Sequence, residues 1–342
     1  MSRRASEGPP SELGGSFGSA EVAEFAERVR AGDRKAVARA ITWLESTRRD
    51  HAERGHAILE ALLPETGRAV RLGITGTPGV GKSTFIETLG LSLIEAGQRV
   101  AVLAVDPSSQ VSGGSILGDK TRMERLAQRS EAFIRPSPSG GSLGGVAYRT
   151  REAALVCEAA GHDVVIVETV GIGQSESAVA SMVDFFAVLL QPGAGDELQG
   201  MKKGVLELAD ALVVNKADGA QAALADRTRA EHESAVGLFR AQGSWRPRVL
   251  KTSALTGEGI DEFWETVLEH RRTVEASGEL ERRRRDQDLA WMWSLVDEGL
   301  DRAFREHPEV AARIASLEAE VTACEVAPST AARLLLELFR KA

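Results

Sequence analysis

The sequence predicts an α/β fold with a mostly parallel central sheet that is flanked by helices. From Ala69 onward, short β-branched runs alternate with helical stretches, and each run ends in a glycine-rich or polar turn. The runs are almost continuously apolar, which is typical of parallel strands covered on both faces. Seven strands are predicted: Val70–Thr75, Val100–Val105, Ala132–Arg135, Val164–Glu168, Phe185–Leu190, Leu212–Asn215 and Val249–Thr252. Ligands of such sheets bind at the carboxyl ends of the strands.

A helical segment precedes the predicted sheet. Apolar residues recur at helical spacing between Ala20 and Leu63, Asp33 can cap a helix after Gly32, and Pro64 ends the segment. The Ser-, Gly- and Pro-rich start of the chain cannot build a core and predicts a disordered tail. We therefore expect a tail over 1–19, a helical extension over 20–68 and a sheet domain over 69–277.

The remaining residues, 278–342, are predicted to form a helical arm. The arm opens with an arginine- and glutamate-rich helix that runs into Trp291 and Trp293. Asp286 and Asp288 follow Arg282 and Arg284 at i+4, which predicts a solvated helix face for the arginine run. Two further helical pieces are predicted at Ala311–Val321 and Thr330–Arg340.

Composition and charge narrow the class of protein. Lys and Arg total 42 against 50 Asp and Glu, a formal net charge of -8, which disfavours a nucleic-acid partner. The only cysteines, Cys157 and Cys324, exclude a disulfide framework and a Cys-rich zinc site, and they favour a reducing compartment, so a cytoplasmic location is expected. No apolar stretch reaches the about 18 to 20 residues that span a bilayer, so no membrane partner is expected.

A phosphate-binding loop is predicted between the first strand and the helix that follows it. Residues 76–83 fit the pattern G-x-x-x-x-G-K-[ST] in the strand–loop–helix context that supports it. Glycines let backbone N–H groups turn toward phosphates, Lys82 can reach the terminal phosphates, and the Ser83 hydroxyl can bind Mg²⁺. The predicted nucleotide-binding residues here are Gly76, Thr77, Pro78, Gly79, Val80, Gly81, Lys82, Ser83 and Thr84.

A second motif selects the base. Asn215, Lys216 and Asp218 form N-K-x-D at the end of a predicted strand, where the Asp218 carboxylate can accept from the ring N–H and the exocyclic amine of guanine. Adenine would turn an acceptor toward that carboxylate, and an unpaired buried charge costs at least about 1–3 kcal/mol. After the next predicted strand, Ser253, Ala254 and Leu255 resemble the loop that backs guanine in GTPases. In this order, the motifs predict GTP.

Two acidic residues at strand ends are candidates for metal binding and catalysis. Asp106 directly follows one predicted strand and Glu168 ends another, both beside the phosphate loop. One is therefore expected to hold a Mg²⁺ water and the other to orient the attacking water or a second metal water. The backbone N–H of Gly171 can bind the γ-phosphate. Because Gln174, and not the residue after Gly171, is the nearest glutamine, we expect slow intrinsic hydrolysis that a partner completes.

These motifs, taken together, resemble the MeaB/ArgK/MMAA group of P-loop GTPases, which lies within a wider class of metallochaperone GTPases. The resemblance extends from about Ala31 to about Trp293 and implies a P-loop NTPase G domain for the sheet. Its segments are GDRKAVARAIT, GITGTPGVGKST, VLAVDPSS, GGSILGDKTRM, FIRPSPS, VETVGIGQSE, PGAGDELQGMKKG and NKAD.

The resemblance implies a chaperone role. Such a GTPase would gate adenosylcobalamin loading of an acyl-CoA mutase, usually methylmalonyl-CoA mutase, and protect or reactivate that mutase. The implied homodimer is joined through the C-terminal arm, and a cobalamin adenosyltransferase is a further candidate partner. The cobalamin-binding signature D-x-H-x-x-G is absent from this chain, so the chain itself shows no sign of a corrinoid site.

The resemblance also implies three switch segments. The first, Asp106–Met123, carries Asp106 and Asp119, the second is Glu168–Glu176, and the third is Gly193–Lys203. Lys202 is the candidate for a catalytic residue that swings toward the nucleotide when the mutase docks.

Three other functions remain open at this point. A nickel- or cobalt-insertion GTPase shares the G domain, but such proteins usually carry a His-rich tract or a Cys-x-x-Cys site, and neither occurs here. A protein kinase of a transport system would need a base for an acceptor, which no motif marks. A binding module that holds GTP without hydrolysing it would show no single-turnover hydrolysis.

Overall fold

The computed structural model of the protein describes residues 18–46, 48–106, 123–138, 143–169, 176–193, 203–236 and 243–340. Its strands are β1 (Val70–Gly76), β2 (Val100–Asp106), β3 (Ala132–Pro138), β4 (Val164–Thr169), β5 (Phe185–Leu190), β6 (Ala211–Val214) and β7 (Arg248–Lys251). All seven predicted strands are therefore confirmed. The ends of six differ by at most one residue, and β3 runs on from the predicted Arg135 to Pro138.

The helices before β5 are α1 (Ser19–Arg30), α2 (Arg34–Leu44), α3 (Arg49–Leu62), α4 (Lys82–Glu95), α5 (Glu124–Ala127), α6 (Leu143–Ala159) and α7 (Glu176–Ala180). Those after it are α8 (Lys203–Glu207), α9 (Ala222–Val236), α10 (Ile260–Ala276), α11 (Glu279–Glu306), α12 (Pro308–Thr322) and α13 (Pro328–Arg340). Within this described part of the chain, no helix has the length and apolar composition that crossing a membrane requires.

The seven strands form one sheet in the order β3-β2-β4-β1-β5-β6-β7, and every neighbouring pair is parallel. The predicted parallel α/β fold is thus confirmed. β1 is the central strand, with β4 and β5 as its neighbours. The carboxyl ends of these three strands consequently meet at one edge of the sheet, where the sequence analysis expects the nucleotide.

Both faces of the sheet are covered, and the alternation of side chains along β2 shows how. Val100 and Val102 belong to the core cluster that contains Phe85 and Leu89 of α4. Ala101 and Leu103 point to the opposite face and belong to a cluster with residues of α1, α2, α3 and α6. The N-terminal helices therefore share a hydrophobic core with the sheet, although the division of the chain into domains stays a prediction.

The predicted solvated face of the arginine run is wrong for Arg284, although Arg282 and Arg285 are exposed. Arg284 is 14% exposed and forms an ion pair with Asp184, which lies one hundred residues away in the sequence. Asp288 forms an ion pair with Arg151 of α6. Asp184 is a buried acceptor and Arg151 is a buried donor, so each offers a stronger, less hydrated ion pair than the local i+4 partners do.

Candidate functional site

The phosphate loop joins the central strand to a helix. β1 ends at Gly76 and α4 begins at Lys82, as the motif requires. Gly79 and Gly81 have φ values of 82° and 96°, which favour glycine. A Cβ at Gly76 would lie 2.6 Å from the carbonyl oxygen of Leu189 in β5, and one at Gly81 would lie 2.8 Å from Nδ2 of Asn215. The glycines are thus required by backbone shape and by close packing against the neighbouring strand and the base-selecting motif.

Lys82 lies over this loop. The residue is 8% exposed, and its Nζ donates to the carbonyl oxygens of Gly76 at 2.7 Å and Thr77 at 3.3 Å. A buried ammonium held by loop carbonyls is placed where the phosphates of a nucleotide would bind in a P-loop.

Ser83 and Glu168 are brought together at the carboxyl edge of the sheet. Glu168 pairs in register with Ile74 of β1, and its Oε1 accepts a hydrogen bond from Ser83 Oγ at 3.2 Å. Glu168 is 9% exposed. A serine hydroxyl and a carboxylate are hard oxygen ligands, so this pair fits Mg²⁺ better than a softer metal.

The other predicted catalytic and switch residues are not all covered by the structure. Asp106 is the last residue of β2, which neighbours β4, so its backbone lies at the same edge of the sheet. Its side chain lies outside the described part of the chain, as do Asp119, Gly171, Gln174 and Lys202. Their predicted roles therefore stay predictions.

Asn215 joins the base-selecting motif to the phosphate loop. It is 1% exposed, and its Nδ2 donates to the carbonyl oxygen of Val80 at 2.9 Å. Its Oδ1 accepts from the backbone N–H of Ala254 at 3.1 Å and from Thr252 Oγ1 at 3.3 Å. One amide side chain therefore holds three segments together: the phosphate loop, the end of β6 and the loop after β7.

Lys216 and Asp218 complete this arrangement. Lys216 has a φ of 59°, and its Nζ donates to the carbonyl oxygen of Gly79 at 2.6 Å. The Oδ1 of Asp218 accepts from Ser253 Oγ at 2.7 Å, which orients the carboxylate. Leu255, in contrast, is 79% exposed. The two sequence motifs thus form one connected site, although they are separated by more than one hundred residues of chain.

Two threonines of the site were missed by the sequence analysis. Thr88 of α4 donates from Oγ1 to the carbonyl oxygen of Ala254 at 2.7 Å, and Thr75 of β1 shares a buried 2.6 Å hydrogen bond with Thr169 of β4. No motif marks these residues, because each is a single hydroxyl in an otherwise ordinary helix or strand. Over the ranges described above, no cluster of three or more His, Cys, Asp or Glu could hold a further metal ion.

Comparison with known proteins agrees with this geometry. A family model described as methylmalonyl Co-A mutase-associated GTPase MeaB matches residues 37–309. The mouse protein named methylmalonic aciduria type A homolog, mitochondrial, is 46% identical over 320 residues, which cover 90% of this chain and 77% of the mouse protein. GTPase ArgK of Escherichia coli K12 is 50% identical over 280 residues, which cover 82% of this chain and 85% of ArgK.

A solved structure matches over almost the whole chain. The crystal structure of LAO/AO transport system kinase superposes with a TM-score of 0.74 at 39% sequence identity, covering 94% of this chain and 99% of the other. The family model spans well over half of the sequence, and the two relatives named above are 46% and 50% identical to this chain. The chain therefore belongs to the MeaB family of P-loop GTPases.

Proposed function

We propose that this GTPase is a chaperone of an adenosylcobalamin-dependent acyl-CoA mutase, with methylmalonyl-CoA mutase or a close relative as the partner. In this role it gates adenosylcobalamin loading and protects or reactivates the mutase. The match to the mutase-associated GTPase family over residues 37–309 carries the proposal. The name of the mouse protein refers to methylmalonic aciduria, and so does the name of a Caenorhabditis elegans relative that is 43% identical over 330 residues. Both names support the proposal.

The proposed cofactors are GTP or GDP with Mg²⁺. Ser83 and Glu168 would hold the metal ion, with Asp106 as the third candidate, and the ion would neutralise charge on the β- and γ-phosphates. Lys82 would exchange its bonds to Gly76 and Thr77 for phosphate oxygens. Asp218, already oriented by Ser253, would accept from guanine.

Hydrolysis is proposed to be slow in the isolated protein and faster with the mutase. The described part of the site positions phosphate and base, while the roles proposed for Asp119, Gly171 and Lys202 belong to the switch segments. In this proposal Lys202 moves toward the nucleotide when the mutase docks. A switch of this kind changes a partner only through differential affinity for the partner's states, typically worth about 1–3 kcal/mol.

The proposal is tested by GTP turnover with and without methylmalonyl-CoA mutase. We expect low turnover alone, a clear increase with the mutase, and loss of that increase in Lys202→Ala with GDP affinity retained. Turnover that is fast without partner, or that the mutase leaves unchanged, would contradict the chaperone proposal. Hydrogen exchange of 193–203 in the GDP and GTP-analogue complexes, with mutase present, should differ if this segment is a switch.

A second candidate function is supported by one comparison. The similar crystal structure is that of a protein named as a transport system kinase. With γ-labelled GTP, a kinase would place the label on a protein, whereas the proposed chaperone would release it as free phosphate.

We also propose a homodimer that is joined through the helical arm. On α11, large apolar side chains are exposed at Leu289, Met292, Trp293, Val296 and Leu300. Their spacing places them on one helical stripe, and an exposed stripe of this size is typical of a protein interface.

A further inference from the structure

The first part of α11 attaches the arm, residues 279–340, to the sheet. Leu280, Arg284, Gln287 and Trp291 recur at a spacing of three to four residues and lie on one side of the helix. Leu280 packs with Trp245 and Val274, and Trp291 packs against the cluster below the N-terminal helices. The exposed stripe lies mostly beyond this attached part. The direction of the arm is therefore set near its beginning.

The attached part of α11 contains a bidentate ion pair. Arg284 donates from Nε to Asp184 Oδ1 at 2.8 Å and from Nη2 to Asp184 Oδ2 at 2.6 Å. The same guanidinium donates to the carbonyl oxygens of Gly67 and Ala69. Burial alone would raise the pKa of Asp184, but the hydrogen bonds and charge of Arg284 hold that pKa below its usual value. A planar guanidinium bound by this many acceptors fixes the orientation of the helix as well as its distance from the sheet.

Asp184 also connects this ion pair to the central strand. The residue directly precedes β5, and its Oδ2 accepts from the backbone N–H of Arg71 in β1 at 3.0 Å. The guanidinium of Arg71 in turn forms a buried ion pair with Glu158 at 2.5 Å. β1 and β5 are hydrogen-bonded neighbours, and β1 leads into the phosphate loop at its other end. The arm is thus anchored to the rigid centre of the sheet.

Two more hydrogen bonds attach α11 to the residues that precede β5. Arg283 donates from Nη1 to the carbonyl oxygen of Asp184 at 2.7 Å, and Gln287 donates from Nε2 to that of Val183 at 3.0 Å. These two side chains also line a cavity of about 380 Å³, whose other wall includes Leu206 and Leu208 at the end of α8. Since this cavity lies between α8 and the arm, the arm is held by the residues that precede β5 and by Arg151 of α6, and not by the helix that follows the proposed third switch.

We propose that Asp184 and Arg284 are positioning residues that fix the direction in which the arm leaves the GTPase domain. They thereby determine how the exposed stripe of α11 is presented. This proposal rests on the proposed function in one respect, since it takes the exposed stripe to be the dimer surface. The direction of the arm itself can be measured without the mutase or a nucleotide.

The test measures a distance from the domain to the arm. Spin labels are placed at Glu53→Cys on α3 and Arg302→Cys on α11, both exposed, in a Cys324→Ser background. Cys157 is buried, and burial raises the pKa of its thiol, so it is not labelled. Labelled protein is diluted into a large excess of unlabelled protein, so that distances within one copy are observed. We expect a narrow distribution in the parent and a clearly broader one in Arg284→Lys and Asp184→Asn.

Matched controls separate positioning from general damage. Arg285→Lys makes the same change at the exposed neighbour and should leave the distribution narrow. Leu208→Ala alters the far wall of the cavity and should do the same. The broadened variants should keep their affinity for GDP, which a general loss of structure would not allow. Unchanged distance distributions in both Arg284→Lys and Asp184→Asn, or equal broadening in Arg285→Lys, would overturn the proposal.

A measurement on the parent protein covers the case in which both variants fail to fold. Amide hydrogens of 279–291 should exchange much more slowly than those of 293–306, because only the former are anchored to the sheet. Uniform exchange along α11 in the monomeric protein at high dilution would overturn the proposal equally.

Discussion

At the scale of single residues, Asp218 is expected to determine which nucleotide base the protein binds. Asp218→Asn removes the carboxylate that would pair with two guanine donors, while the amide can keep the bond from Ser253. Loss of a charged hydrogen bond of about 1–3 kcal/mol corresponds to roughly 5- to 150-fold weaker GTP binding. Xanthine has a carbonyl where guanine has the amine, so XTP should bind the variant better than GTP does. Calorimetry with GTP, XTP and ATP checks this prediction, and an unchanged preference for GTP would contradict it.

His162 is expected to make the fold sensitive to acid. Burial lowers the pKa of His162 to about 4 from 6.5, with Nδ1 2.9 Å from the carbonyl oxygen of Cys157. The unfolded chain therefore binds a proton that the folded one excludes, and stability is lost as the pH falls from 6.5 toward 4. Between pH 7 and pH 5 this single group lowers the free energy of unfolding by about 2 kcal/mol. Urea unfolding of His162→Asn at both pH values should show that much less acid destabilisation than the parent.

His56 provides a control of opposite sign. A hydrogen bond that His56 donates to Glu152 raises the pKa of His56, so its contribution to stability is present below pH 6.5 and lost as the pH rises through the folded pKa. His56→Asn should therefore lose more stability at pH 5 than at pH 7. If the two variants respond to pH in the same way, burial is not the cause of the His162 effect.

At the scale of elements, the start of α2 depends on Asp33. Its Oδ1 accepts from the backbone N–H groups of Lys35 at 2.9 Å and Ala36 at 3.3 Å, and its Oδ2 accepts from Arg28. Asp33→Ala leaves these helix N–H groups without their cap and should lower the thermal midpoint by a few degrees. Asp33→Asn keeps a capping oxygen and should lower it less. Thermal unfolding followed by circular dichroism measures both midpoints. If the two variants lower the midpoint equally, the loss of the ion pair with Arg28, and not the loss of the cap, is the cause.

At the scale of the whole molecule, the exposed stripe of α11 is expected to hold two copies together. Trp293 is 61% exposed, and Trp293→Asp would place a charge in the proposed interface, where desolvating it is costly. Light scattering after size exclusion should show a dimer for the parent and a monomer for this variant at the same concentration. Leu63→Asp, which changes an exposed leucine outside the stripe, should stay dimeric.

Local patterns in the sequence were sufficient for the strands and for the two binding motifs. A parallel strand that is buried on both faces is apolar throughout, and a phosphate loop needs its glycines and lysine within eight residues, so both leave a signal in consecutive residues. The sequence therefore determined the α/β class and the seven strands, and it marked Lys82, Ser83 and Asp218 in two motifs that the fold brings together.

Only the tertiary structure decided which distant groups pair with one another. Asn215 holds Val80 and Ala254 together, and Arg284 binds Asp184 instead of its helical neighbours. The i+4 rule describes an isolated helix in water, where a local pair costs little entropy. Once α11 packs on the sheet, a buried carboxylate in a poorly hydrated setting binds the guanidinium more strongly, and no local pattern in the sequence records where that carboxylate will lie.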